Sequence, residues 1–459
     1  MLREASAAIP ETLWAELLAS LQQPDESAAV LLAGIADIDD RCVLTINRVL
    51  WVPVECYLER TPNRLKVAST GWMPALKAAE RLGLHPIFFH THPNYTADPS
   101  SADYAVDEAL AKTFAVRAGV SRYASMILGG SSGAPAFSGR VVENAQAIRI
   151  SRLRIVGHRL QILPSASDST NTGHDAVHAR QILAFGKAGQ LILSRLHVGV
   201  VGSGGTGSAV IEQLTRLGVG RITVVDDDRL TTSNVSRVYG SSITQEGAAK
   251  VNVAGANVDR IGLGTILNPI NGRVTSRDPL AALRECDVVF GCTDDHAGRI
   301  NLSKLAYWYL IPLIDMGVVI DSHHGDIRSI TARVTYVGPG EPCLVCRGTV
   351  APDIAREELM DPTERARLVE EGYARGLAEP DPAVVAYTTL TAATAVADLL
   401  ERLFGFGPPD IPGELIVRIA DRKMKGRRAT PTPGHFCAQL DQFGRGDQPS
   451  FLGQPVWPQ

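Results

Sequence analysis

A chain of 459 residues exceeds what one ordinary core organises, so two or three domains are expected. Its 45% hydrophobic and 20% charged residues describe folded, soluble protein, and a net charge of −4 gives no general attraction to nucleic acid. Seven cysteines, an odd number in a long chain, argue against a disulfide framework and for a reducing, cytoplasmic setting.

The first residues, MLREASAAIPETLWAELL, hold no long apolar core with a cleavage site, so no signal peptide is expected. Downstream, VLLAGIAD, RCVLTINRVL and HPIFFHTHP read as strands, while MPALKAAERLGL and SADYAVDEALAKTFAV read as helices. In the third strand His90 and His92 are one residue apart, which puts both side chains on one face. Pro93 ends that strand, and Pro99-Ser100 starts a turn into the next helix, from which Asp103 can swing back towards the histidines. Three protein ligands with an open fourth position is the usual catalytic zinc arrangement. Two neutral imidazoles and one carboxylate leave a net positive centre, able to bring the pKa of a bound water to about 7. Such chemistry needs a proton shuttle, and Glu26, Glu55 and Glu59 are the upstream candidates.

The pattern H-x-H-P-x5-P-S-x2-D, with a glutamate just before an earlier apolar strand, resembles the JAMM (Jab1/MPN) metallopeptidase family over about the first 160 residues. The resemblance implies a cytidine-deaminase-like α/β domain over residues 1–163 that cleaves peptide or isopeptide bonds after the C-terminal glycine of ubiquitin-like proteins. It further implies zinc on His90, His92 and Asp103, Glu26 as general acid/base, and Ser100 donating to the oxyanion. Family members usually carry Cys-Gly soon after the glutamate; here Ser27-Ala28-Ala29 follows.

Residues 164–173, containing SASDSTNTG, are small and polar and read as a linker to a second domain over 174–459. Beyond it HVGVVG, RITVVD, DVVFGC and PLIDMG are short apolar strands separated by helical stretches, the pattern of a doubly wound, mostly parallel sheet. The loop GSGGTGS lets the backbone approach a phosphate at a helix N-terminus, expected near Ser208. Asp226, ending the second strand, is placed to accept from ribose hydroxyls. A dinucleotide oxidoreductase would share these features. Arg237, Lys250 and a possible Mg2+ ligand in Asp294 favour attack of a carboxylate on the α-phosphate of ATP, which gathers negative charge as it proceeds.

With D-x-D, S-N-x-x-R, the distant lysine and C-T-D following the glycine loop in order, the region from about residue 175 to beyond 400 resembles the ThiF/MoeB/HesA adenylating family. The resemblance implies that Gly202, Gly204, Gly205, Gly207, Asp226 and Asp228 surround the nucleotide. Asn234, Arg237 and Lys250 would contact its phosphates, and Asp294 would bind Mg2+. HARQILAFGKAGQ resembles the family's entry helix, which makes Arg180 a candidate to act on the ATP of a second subunit and implies a homodimer. Relatives carry two C-x-x-C zinc pairs. Here Cys343 and Cys346 form one, and only His435 and Cys437 offer further ligands. No cysteine lies between Arg347 and Pro433, so no thioester nucleophile is evident there.

Residues 357–382 are highly charged and read as an exposed helical insertion. PAVVAYTTLTAATAVADLL, residues 382–400, contains four threonines and Asp398, which suits a buried helix better than a membrane span. The cluster Arg422, Lys423, Lys425, Arg427 and Arg428 reads as solvated surface. The two resemblances together imply a zinc peptidase fused to an ATP-dependent adenylyltransferase. Both would act on a ubiquitin-like or sulfur-carrier protein ending in glycine, with Zn2+, ATP and Mg2+ and neither nucleic acid nor membrane as partner. A peptide-adenylating biosynthetic enzyme and a non-enzymatic scaffold are the alternatives.

Overall fold

The computed structural model describes residues 2–165, 176–361, 363, 364, 367 and 382–448. Most of the expected linker 164–173 and of the charged insertion 357–382 lies outside them. The chain forms two compact units.

The first unit contains β1 (Glu4–Pro10), α1 (Glu11–Ser20), β2 (Ala28–Ile38), β3 (Arg41–Trp51), β4 (Tyr57–Thr61), β5 (Arg64–Val67) and α2 (Ser69–Leu82). β6 (His85–Pro93), α3 (Ser101–Ala118), β7 (Arg122–Ser131), β8 (Ala134–Glu143), β9 (Gln146–Val156) and β10 (Leu160–Pro164) follow. Eight strands run in the order β1-β3-β2-β6-β7-β8-β9-β10, with β1 also paired to β9; β4 and β5 form a separate hairpin. Alternation along β2 shows how the sheet is covered. Ala29, Leu31 and Ala33 join a core with Trp14 and Leu17 of α1. Val30 and Leu32 join another with Leu76 of α2 and with Leu110 and Phe114 of α3.

Tyr307–Leu310, at the end of a later helix, and residues 439–448 also belong to this first unit, a departure from a single boundary at residue 174. Gly34 donates to the Gly444 carbonyl at 2.9 Å, and Ile35 makes a parallel bridge with Gly446. The reason is steric: a Cβ on Gly34 would meet the Arg445 carbonyl carbon at 2.1 Å. Only a bare backbone admits the strip.

The second unit contains α4 (Ala179–Arg195), β11 (His197–Val201), α5 (Gly205–Arg216), β12 (Arg221–Val225), α6 (Lys250–Ile261), β13 (Ile266–Ile270), α7 (Arg277–Ala282) and β14 (Val288–Gly291). α8 (His296–Trp308), β15 (Leu313–His323), β16 (Asp326–Val337), α9 (Pro352–Glu358), α10 (Val385–Phe404), β17 (Glu414–Arg418) and β18 (Lys423–Arg427) complete it. The sheet order is β13-β12-β11-β14-β15-β16-β17-β18; the first five strands are parallel and the last three pair antiparallel. Strand order reverses between β11 and β14, which opens a crevice at their carboxyl ends.

The apolar stretch at 382–400 forms most of α10. Asp398 is buried there against Arg402 at 2.8 Å, and no described helix is long and apolar enough to cross a membrane. The basic cluster falls on and beside exposed β18, where Arg427 pairs with Glu414 and Arg428 with Asp410. None of the seven cysteines forms a disulfide.

Candidate functional site

Two sites are built from the sequence-derived residues, one in each unit. In the first, His90 and His92 project from the same face of β6, and α3 follows. Ser100 caps that helix: its Oγ accepts from the Asp103 backbone N–H at 3.2 Å, and its own N–H donates to Asp103 Oδ2 at 2.7 Å. The cap turns the Asp103 carboxylate towards the strand. His90 Nε2 lies 3.1 Å from Asp103 Oδ1, His92 Nε2 3.7 Å from Oδ2, and the two Nε2 atoms are 3.1 Å apart. These ligand atoms all fall within 4.8 Å of one another. His92 Nδ1 faces the Thr96 carbonyl at 3.0 Å, which fixes the ring with Nε2 turned inward, as a metal-binding histidine requires.

Charge follows the same logic. Burial, with His90 alongside, pushes His92 below the usual imidazole range, so the ring stays neutral. Burial opposes ionisation of Asp103, but hydrogen bonds from His90 and Ser100 outweigh it and hold its carboxyl well below the usual range. A neutral imidazole and an ionised carboxylate are the protonation states a hard-to-borderline dication takes up. The residues fit zinc.

Glu26 approaches the cluster, its Oε1 4.0 Å from His92 Nε2. Burial raises its pKa to about 7, with His90 opposing and Asp103 adding to the rise. Glu55 is exposed, and Glu59 pairs with Arg64 at 3.3 Å on the β4–β5 hairpin. The Ser27-Ala28-Ala29 departure is absorbed locally. Arg60 Nε donates to the Glu26 carbonyl at 2.8 Å and its Nη2 to Ser27 Oγ at 2.7 Å, while Thr61 O accepts from the Glu26 N–H. Ser27 N–H donates to Thr91 Oγ1 at 2.9 Å. Arg60, Thr91 and Thr96 carry no motif signature; only the fold brings them in.

In the second unit Gly202 (φ 88°) follows the end of β11 at Val201, and α5 begins at Gly205, three residues before the expected start at Ser208. The glycines differ in purpose. A Cβ on Gly207 would stand 1.8 Å from the Gly202 carbonyl oxygen, and one on Gly202 2.7 Å from that of Cys292, whereas one on Gly204 would meet nothing within 4 Å. Gly204 borders open space at the helix N-terminus. Gly205 lies under the aliphatic part of Arg237, whose guanidinium donates to the Ser233 carbonyl.

Asp226 braces the loop. Its Oδ2 accepts from Ser203 N–H at 2.6 Å and Ser203 Oγ at 2.9 Å, and its Oδ1 accepts from Asp228 N–H at 2.8 Å. A carboxylate has about four acceptor positions, so one remains for a ligand. Asp228 in turn pairs with Lys250 at 2.6 Å, linking the lysine to the glycine loop through three hydrogen-bonded residues. Asn234 Oδ1 accepts from Thr231 N–H, a local cap. Asp294 is exposed just beyond β14, on the far side of the crevice, while its neighbour Asp295 caps α8. Arg180 is exposed near the start of α4, ahead of a kink at Gly186 (φ 71°, ψ 170°).

The cysteine pair finds its partners. Cys343 Sγ lies 3.4 Å from His435 Nδ1, Cys346 Sγ 3.5 Å from Cys437 Sγ, and all four ligand atoms sit within 4.8 Å of each other. The thiol of Cys343 donates to Cys437, which is lowered to about 5, while Cys343 is pushed up. Three sulfurs and one imidazole nitrogen in this space match tetrahedral zinc. Burial pushes the Cys292 thiol up, and Cys286 is fully buried, so neither is a ready nucleophile.

Comparison with known proteins bears on both units. Residues 178–434 match the model of the ThiF family, and residues 10–140 match that of prokaryotic homologs of the JAB domain. The SAMP-activating enzyme E1 of Haloferax volcanii is 31% identical over 165 residues, covering 36% of this chain and 57% of that protein. The molybdopterin-synthase adenylyltransferase of Escherichia coli is 31% identical over 169 residues, covering 36% and 65%. This chain thus spans less than two-thirds of either relative. Among solved structures, E. coli MccB with ATP has a TM-score of 0.44 and 18% identity, over 60% of this chain and 75% of that one.

Proposed function

The chain belongs to the ThiF family, joined here to a JAB-type domain, and from that premise we propose that it adenylates the C-terminus of a ubiquitin-like or sulfur-carrier protein and cleaves bonds formed at that same terminus. The observation that carries the adenylation half is the hydrogen-bonded series from Ser203 through Asp226 and Asp228 to Lys250, set beside an α5 N-terminus whose Gly204 borders open space. The free N–H groups of that terminus hold phosphate oxygens. Arg237 and Lys250 balance the charge that builds as a carboxylate attacks the α-phosphate of ATP, forming a new P–O bond and expelling pyrophosphate. Asp294 would hold Mg2+, which neutralises phosphate charge when bound. Gly202 and Gly207 keep the loop tight, and Asn234 shapes the turn that carries Arg237. Arg180 reaches the nucleotide of a second subunit, which makes the working form a homodimer.

In the JAB-type unit His90, His92 and Asp103 would hold zinc, which supplies Lewis acidity for amide hydrolysis. Glu26, with its pKa lifted to about 7 by burial, takes a proton from water and returns it to the leaving nitrogen. Ser100 donates its O–H to the developing oxyanion while its oxygen caps α3. Cys343, Cys346, His435 and Cys437 would hold a structural zinc. Both activities address one tail, so tethering raises the effective concentration of each product for the other step.

ATP–pyrophosphate exchange by the full chain tests this, with a small β-grasp protein ending in glycine, encoded beside it, as substrate. Exchange that depends on that protein and ends with Asp294→Ala is expected. Tight binding of a nicotinamide dinucleotide with no affinity for ATP would overturn it.

A further inference from the structure

The buried carboxylate of Asp107 belongs to neither site, yet four hydrogen bonds converge on it. Tyr123 Oη donates to its Oδ1 at 2.5 Å, and Ser125 Oγ to its Oδ2 at 2.7 Å; both come from β7. Arg140 of β8 donates twice, through Nε at 2.8 Å and through Nη2. Such a concentration of donors exceeds what a helix needs to pack. Leu110 and Phe114, further along the same buried stripe of α3, already attach it to the apolar core.

Register explains what the extra attachment sets. Asp103 and Asp107 are four residues apart and share one face of α3. On the sheet below, Ser125 is paired with Phe88 of β6 on one side and with Arg140 on the other. Two residues further along the same strands, Ile127 is paired with His90. Four helical residues rise about 6 Å, and two strand residues about 6.6 Å. The helix runs against the strand direction, so once Asp107 sits over Ser125, Asp103 falls over His90. Sliding α3 by one residue would move its carboxylate about 1.5 Å, more than a ligand sphere tolerates.

We propose that Asp107 is a positioning residue for the metal centre: anchored by Tyr123, Ser125 and Arg140, it sets the axial position of α3 and so delivers Asp103 to His90 and His92. The inference rests on the zinc reading of those three ligands.

The test titrates Co2+ into metal-stripped full-length protein against a competing chelator. The visible band lost in His92→Ala reports this centre, and thiolate charge-transfer absorption separates it from the Cys343 cluster. Asp107→Asn is expected to weaken that band's affinity about 10–100-fold. Tyr123→Phe, which removes a single donor, should weaken it less, and it decides the matter if Asp107→Asn does not fold. Leu110→Ala should lower the Tm but leave the affinity unchanged. Wild-type affinity in Asp107→Asn, or in Tyr123→Phe where only that variant folds, overturns the proposal. So does an equal affinity loss in Leu110→Ala, which would reduce Asp107 to general stability. Absence of any His92-dependent band in the wild type would instead overturn the zinc reading, and the positioning role with it.

Discussion

Substituting the two glycines Gly204 and Gly207 separately by alanine distinguishes a loop that packs from a loop that binds. In Gly207→Ala the new Cβ starts 1.8 Å from the Gly202 oxygen and must retreat to at least about 3.0 Å, a shift of about 1.2 Å at the first turn of α5. Overpacking of this kind costs about 1–3 kcal/mol, or roughly 2–12 °C in Tm for a unit of this size. Gly204 has a negative φ (−72°, with ψ −150°), so alanine meets no left-handed strain there, and its Cβ meets nothing within 4 Å. Gly204→Ala should therefore keep the wild-type Tm without ligand. With MgATP at a hundredfold excess over Kd, binding stabilises the wild type by about 2.7 kcal/mol, or roughly 5–11 °C. Gly204→Ala should lose most of that increment, because its methyl group occupies the space the phosphates approach. Thermal denaturation with and without MgATP reads both quantities. A Gly204→Ala protein with an unchanged ligand-induced shift would show that the nucleotide does not sit at this helix terminus.

Asp294→Ala should abolish ATP–pyrophosphate exchange while changing unfolding free energy by less than about 0.5 kcal/mol, since the side chain is exposed; exchange at the wild-type rate would remove it from the mechanism. Glu26→Gln, nearly isosteric and held by the same Arg60 and Thr61 contacts, should retain zinc by elemental analysis and lower the cleavage rate about 10²–10⁴-fold. Cys346→Ser should release about one zinc equivalent and lower the Tm of the second unit; an unchanged zinc content would leave the cluster as thiols. Burial, with Arg122 nearby, lowers His85 to about 4. As pH falls below 6.5 the unfolded chain takes up a proton that the folded one refuses until about pH 4. Stability from this group is therefore complete above pH 6.5 and lost on the way to pH 4. The loss amounts to about 3 kcal/mol at one pKa unit per 1.36 kcal/mol. His85→Gln should flatten that part of a denaturation-versus-pH curve relative to the wild type.

What could be read from the residues alone depended on separation along the chain. His90, His92 and Asp103 were legible because one strand and one capped helix bring them together within fourteen residues. Glu26 needed the pairing of Ala28 with His90 across β2 and β6, which no local pattern states. Arg60 and Thr91, which support Glu26, were invisible for the same reason. The Cys343–Cys346 pair announced itself, but its partners His435 and Cys437 arrive about ninety residues later. The glycine loop was evident in its composition, yet its division into packing and open positions emerges only from backbone approach distances. Asp226 looked like a ribose ligand from its place at a strand end. In the fold it first serves Ser203 and Asp228, because a loop of glycines has little side chain of its own to hold it.

The notch at Gly34 has a consequence for synthesis. The strip that fills it is translated only after the described residues of the second unit, so a growing chain presents β2 with its groove bare until residues 439–448 are made. A protein cut anywhere between the two units would carry that bare groove permanently, and an isolated JAB-type fragment should be a sticky, short-lived species. Completion of the first sheet thus waits on residues 439–448, which couples maturation of the first unit to translation of the second.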